Sequence, residues 1–407
     1  MLKFAWALIL VTSVANAQED AKPLPDIEAS LAMEKQQYLA GEPIMLIFKA
    51  RYTGDAILVD LSESDPYGPC SHFQISVLPD AKSREPKSGP PCEALVWPMF
   101  VSCLTGGIGL PPGEEVQRHI VLNHFHDFTQ PGFYTVKAKR YLSCARNWGK
   151  QNQPTGWVAG TFTFTVVAPN SPDDVRESFA PYVAALSSGS FWQKQEAAEA
   201  ISSVAAPFLE PYLLQMLSIP TFEYTAIQGL RRLNSATGRV ALFELLTRDQ
   251  SFRAKQEFAL RALRDSGDAS YGPKLLGLMD TRKDEHERAE LLEVAARLDP
   301  KSVDAIVRQL LKSPQAANRE SGATALAATE QPTALPILVS MLGDPSPEVR
   351  RTAAQGLVSL TRARPPSALE NSMAPTLADV RFWTAWLRAN PQLPIHLRRE
   401  CPQATEW

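Results

Sequence analysis

The stretch GDPSPEVRRTAAQGLVSL, Gly343 to Leu360, decides the architecture. Ser346 suits a helix N-cap, and Pro347 suits the first helical position, where a missing N–H is no loss. Glu348 sets a negative charge at the positive end of the helix dipole. Beyond the cap, Val349, Ala353, Gly356, Leu357 and Leu360 recur at three- and four-residue steps and share one face. Ala353 and Gly356 are too small to serve a lone surface helix, where glycine only costs stability. They suit a helix that another helix approaches closely.

The same small-small-apolar pattern recurs upstream. It is carried by Ala197, Ala200 and Ile201; by Ala226, Gly229 and Leu230; by Ala259, Ala262 and Leu263; and by Gly322, Ala325 and Leu326. A looser copy has Val294 in the anchor place. The anchors Ile201, Leu230, Leu263, Val294, Leu326 and Leu357 are spaced by 29, 33, 31, 32 and 31 residues. Between successive anchors lies a second apolar run, such as GRVALFELLTR or ALPILVSMLGD. One helix pair cannot cover its own apolar faces, so this period predicts an α-solenoid of about six stacked helix pairs.

With Asp344, Pro345, Val349, Arg350, Ala353, Ala354 and Leu357, the opening stretch resembles a HEAT repeat of the short, phycobilisome-lyase HEAT-like kind. The resemblance runs from about Pro172 to Asn390. It implies a protein-binding surface and an aspartate–arginine bond between neighbouring repeats, for which Asp344 and Arg350 match, with Arg319 and Arg253 as partial counterparts. Lyase chemistry does not follow from the repeat.

The preceding part reads differently. The runs EASLAME, PIMLIFKARY, AILVDL, FQISVLP, VQRHIVL, FYTVKAKRY and TFTFTVV alternate with period two and are separated by turn residues, predicting an antiparallel β-sandwich. The segment FTQPGFYTVKA resembles the tyrosine corner of immunoglobulin-like domains, with Tyr134 as the corner residue and Val136 where that family has cysteine. The fold expected is thus multi-domain, β plus α: an Ig-like antiparallel β-sandwich over 27–168, a linker at 169–173, and the HEAT-like solenoid over 174–391. A tail follows at 392–407, and another precedes the sandwich at 18–26.

Residues 1–17 read as a signal peptide: Lys3, the apolar run FAWALILVTSV, and Ala15-Asn16-Ala17 as a cleavage site. That run is too short to span a bilayer, so no integral membrane anchor is expected once the signal is cleaved. Export to the periplasm or the medium follows. In that compartment Cys70, Cys92, Cys103 and Cys144 form two disulfides in one of three pairings, leaving Cys401 over. The 41 basic and 44 acidic residues are interspersed, without the cationic face that nucleic acid requires.

No catalytic set and no cofactor motif occurs. His124 and His126 would share a face of a strand and hold a metal, with His119 or Asp127 completing the site; side chains of a solvent-facing loop are the simpler expectation. His286 and Glu290 lie near the zinc-protease spacing, but the second histidine is missing, which leaves a charged helix face. Phe382, Trp383 and Trp386 crowd the last predicted helix and are expected to cap the open end of the array. The function expected is a non-catalytic scaffold for a protein or peptide partner, contacted by Glu244, Arg248, Lys274, Arg308 and Lys312 on the second helices. One alternative is a metal-binding protein or hydrolase with its site in the sandwich loops. The other is a protease-inhibitor-like or glycan-binding sandwich with the solenoid as spacer.

Overall fold

The computed structural model describes residues 27–53, 59–60, 73–79, 109–110, 113–143, 155–248, 253–361, 363, 365 and 375–392. The expected signal peptide at 1–17, the expected tail at 18–26 and all five cysteines lie outside these residues. The chain divides into two compact units, Met1–Phe208 and Leu209–Trp407.

Among the described residues the first unit holds nine strands: β1 (Ile27–Met33), β2 (Gln37–Leu39), β3 (Met45–Tyr52), β4 (Val59–Asp60), β5 (Phe73–Pro79), β6 (Gly109–Leu110), β7 (Glu115–Val121), β8 (Gly132–Ser143) and β9 (Thr155–Val167). All seven alternating runs supply strands. One sheet has the order β1-β3-β7 and another β2-β9-β8-β5, while β4 and β6 form a two-stranded ribbon. Pairing is antiparallel except between β2 and β9, where Gln37 faces Thr165. Alternation sets the faces: Tyr134, Val136 and Ala138 of β8 point inward, while Phe133 and Lys137 stay exposed. The inward side chains meet Leu46 of β3, Tyr38 of β2 and Phe164 and Val166 of β9 in one core. Each such side chain contributes roughly 1.5–3 kcal/mol by leaving water.

Two helices complete this unit, α1 (Pro172–Ser188) and α2 (Phe191–Ser202). Ser171 caps α1 by accepting from the Asp174 N–H, and the Asp174 carboxylate accepts in return from the Ser171 N–H at 3.1 Å. Tyr182 of α1 and Ala200 of α2 pack on Met45 and Val121, which pair across β3 and β7 and turn away from the main core. The sequence pattern pairs α2 with the apolar run that follows it; the structure pairs it with α1 and seats both on the sheet.

Among the described residues the regular elements of the second unit are helices: α3 (Glu210–Met216), α4 (Glu223–Leu233), α5 (Ala236–Arg248), α6 (Arg253–Ser266), α7 (Tyr271–Met279), α8 (Glu285–Leu298), α9 (Pro300–Leu311), α10 (Ala316–Ala328), α11 (Ala334–Met341), α12 (Pro347–Thr361) and α13 (Leu377–Ala389). The anchors of the period, Ile201 in the first unit and Leu230, Leu263, Val294, Leu326 and Leu357 in the second, are all buried. Among the described residues no helix is long and apolar enough to cross a membrane.

The small residues of the pattern mark the close approaches. A Cβ added to Gly356 would lie 2.9 Å from the Ala327 Cβ and 3.3 Å from the Leu338 Cδ1, so α12 comes almost to backbone contact with α10 and α11. Gly322 of α10 is similarly hemmed in, with Leu310 and Leu311 of α9 at 3.1 Å. Trp383 of α13 is fully buried, with Phe382 and Trp386 edge-on to it, and α13 packs on α11 as a cap would.

Candidate functional site

The repeats are tied to one another by polar contacts that recur at about the repeat length. Arg231 pairs with Asp265, Lys255 with Glu223, and Arg297 with Glu330, and the Thr352 hydroxyl donates to Glu320 at 3.1 Å. Arg239 reaches Asp268 at 3.1 Å. The Arg231–Asp265, Lys255–Glu223 and Thr352–Glu320 ties join first helices of successive pairs, whereas Arg239 of α5 reaches the turn after α6 and Arg297 the turn after α10. The best-formed is bidentate: Arg319 Nε and Nη2 donate to the two Asp344 oxygens, each at 2.8 Å. Those bonds hold the Asp344 carboxyl below the usual carboxylate range and push the Arg319 guanidinium up.

The expected aspartate–arginine bond between neighbouring repeats is present, but Arg350 does not make it. The aspartate of the opening stretch bonds Arg319 of the preceding repeat, and Arg350 serves its own turn, its Nη1 donating to the Asp344 and Pro345 carbonyls. Arg319 does the same for Ser313 and Pro314, so in these two repeats an arginine fastens the turn ahead of its helix.

Exposed charge is found on first helices, as in the Arg261–Glu257 pair of α6, and on the second helices. Glu244 and Arg248 of α5 are exposed and pair with each other one turn apart. Lys274 of α7 is exposed, its ammonium 4.3 Å from the Tyr271 ring centroid. Arg308 of α9 is exposed and pairs with Asp304 at 2.9 Å, and Lys312 is exposed at the end of the same helix. The five predicted contact residues therefore occupy consecutive second helices and remain open to solvent, with Val240 of α5 and Ile337 of α11 as exposed apolar side chains in the same layer.

A small cleft of about 20 Å³ lies between consecutive repeats, lined in part by Leu246, Leu260, Leu278 and Leu291. Its buried Arg282 donates to the Leu246 carbonyl and lies 3.9 Å from Glu287, a tie between repeats rather than a reactive group.

The metal-ligand expectation fares differently. His124 and His126 do not lie on a strand: Leu122–His124 form a single 3-10 turn, and the Leu122 carbonyl accepts from the N–H groups of both Phe125 and His126. Nor do they face solvent from a loop. His124 is buried, and His126 is wedged edge-on between Phe128 at 5.0 Å and Tyr134 at 5.7 Å. Burial pushes the His126 imidazole below its usual range, and its buried Nε2 has no hydrogen-bond partner. His119 is engaged elsewhere, with Nδ1 2.7 Å from a Glu196 oxygen. Among the described residues no three His, Cys, Asp or Glu side chains gather as a metal site. His286 pairs with Glu290 on the surface of α8, one turn apart. Cys70, Cys92, Cys103 and Cys144 lie outside the described residues.

A sequence profile for HEAT repeats matches residues 303–387, from α9 into α13. No curated protein matches the chain. Among solved structures, a chain of the CpcE–CpcF complex of phycocyanin lyase from Nostoc sp. is similar at 17% identity, covering 53% of this chain and 82% of that one, with a TM-score of 0.28. At so loose a superposition, that complex's chemistry stays its own. The profile match falls on the repeats with the bidentate Arg319–Asp344 tie and the hemmed-in glycines, and the helix pairs upstream continue the same period. Residues 303–387 of this chain match HEAT repeats.

Proposed function

We propose that the chain is an exported, non-catalytic scaffold that binds a protein or peptide partner along its second helices. The observation that carries this reading is the open row of Glu244, Arg248, Lys274, Arg308 and Lys312 on α5, α7 and α9, in an array whose first helices are tied to their neighbours. Mixed charge beside scattered apolar side chains gives a partner both orientation and contact area. The sheets of the first unit act as a second recognition module with Ig-like topology. Supporting that topology, the orders β1-β3-β7 and β2-β9-β8-β5 correspond to strands A-B-E and A′-G-F-C, and the Tyr134 hydroxyl donates to the Gln130 carbonyl at 2.8 Å, the bond a tyrosine corner makes. Export rests on the leader at residues 1–17, and with it the two disulfides among Cys70, Cys92, Cys103 and Cys144.

The test is crosslinking of the full chain in a native envelope, followed by mass spectrometry of what is attached. Crosslinks to one protein should map to α5, α7 and α9, and the Lys274→Glu/Arg308→Glu double variant should lose them with its melting temperature unchanged. Recovery of a glycan or a metal in place of any protein overturns the reading.

A further inference from the structure

Helix α2 lies along the outward face of strand β7, and its contacts come from a single stripe. Trp192, Glu196 and Ala200 are four residues apart and so stand one above another on the helix. Each meets the strand in order. The Arg118 guanidinium lies 4.6 Å from the Trp192 ring centroid, His119 Nδ1 lies 2.7 Å from a Glu196 oxygen, and Ala200 packs on Val121 and Met45. The top and bottom contacts do not change between pH 5 and 9, because arginine stays charged and the third contact is apolar. The middle one does.

The groups facing His119 are few. From α2 come Glu196 and, one turn on from it, Glu199; from β3 comes Lys49, itself 3.8 Å from Glu115; Glu34 lies just beyond β1, and Tyr182 of α1 stands near Glu196. The hydrogen bond from Glu196 outweighs burial and raises the imidazole above its usual range. On the other ring nitrogen, Gln117 Nε2 is 2.9 Å away. An amide N–H there suits the neutral ring, and a charged ring requires that amide to turn its oxygen inward. Glu199 acts in the same sense, since burial pushes its carboxyl up to about 7 and a falling pH then removes its repulsion of Glu196.

We propose that the His119–Glu196 contact is a proton-operated latch: with the imidazole charged it holds the α1–α2 hairpin on the β3–β7 face, and with the imidazole neutral the hold loosens. A histidine whose folded value is raised adds stability in full below its unfolded value of about 6.5 and loses it as the pH rises through the folded value. The hairpin is therefore tighter in mildly acidic surroundings. The apolar patch of Met45, Val121, Ala200 and Tyr182 keeps it in place at either end of that range, so the change is one of local opening and not of unfolding.

Amide hydrogen exchange of the full chain at about pH 6 and about pH 8, corrected for intrinsic rates, tests the latch. Protection across Trp192–Ser202 should fall severalfold at the higher pH, with amides of the β8–β9 ladder unchanged as an internal check on folding. His119→Gln and Glu196→Gln should each bring α2 to the lower level and cut its pH dependence to the smaller share that Glu199 supplies. Equal wild-type protection of α2 at both values overturns the proposal. So does a slope that survives undiminished in both variants and disappears in Glu199→Gln, which would place the response on that carboxyl alone.

Discussion

Gly356 and Gly277 are both helical glycines, and their surroundings give them opposite costs. Glycine in a helix interior is about 1 kcal/mol worse than alanine on propensity alone. At Gly277, on the exposed side of α7, an added Cβ would meet nothing within 4 Å. Gly277→Ala should therefore stabilise by about 1 kcal/mol, read as a higher urea midpoint at unchanged slope. At Gly356 the added methyl meets the Ala327 Cβ, which cannot swing aside without moving α10. Gly356→Ala should cost about 1–3 kcal/mol despite the better propensity. Small residues at regular spacing were the most legible feature of the sequence, because close approach of two helices leaves few other residue types available. The histidine pair was misread for an equally local reason: a period-two pattern assumes an extended chain, and the doubly accepting Leu122 carbonyl curls it into a turn at that point.

Among the elements, α13 bears the largest single-residue dependence. Its Trp383 is fully buried, and its indole N–H has no hydrogen-bond partner. Trp383→Ala should lower stability by about 3–5 kcal/mol, the cost of a large core cavity. Trp383→Phe should cost under about 2 kcal/mol, because losing area is offset by removing an unsatisfied donor. A partner-binding role for these rings would instead leave Trp383→Ala with an unchanged melting curve. The helices themselves were legible from their caps and spacing. The seating of α2 was not, because its stripe meets residues more than seventy positions away on a strand, and no local pattern encodes that distance.

At the scale of the molecule, the array is held by ties that cross from one repeat to the next. Asp344→Asn keeps the shape of the Arg319 partner and removes its charge, so the melting temperature of the repeat array should drop by a few degrees at neutral pH. The sign of its pH dependence follows from the depressed carboxyl. The stability it adds is complete above the unfolded value of about 3.9 and is lost as the pH falls through the lower folded value. Wild type and variant should therefore converge in acid, as thermal scans at a series of pH values would register. The solenoid was legible at this scale because six anchors kept nearly one spacing. Apart from the bond at Asp344, the ion pairs were missed, though they had left a trace: opposite charges such as Arg231 and Asp265, or Arg297 and Glu330, sit 34 and 33 residues apart, close to the period itself.

Because those partners stand about one period apart, an added helix pair keeps such ties where it brings its own arginine and carboxylate at the same spacing. Fractional changes would leave charges stranded against apolar helices. The ties thus act as a ruler for the gene as well as a clasp for the fold, allowing length to drift only in whole steps.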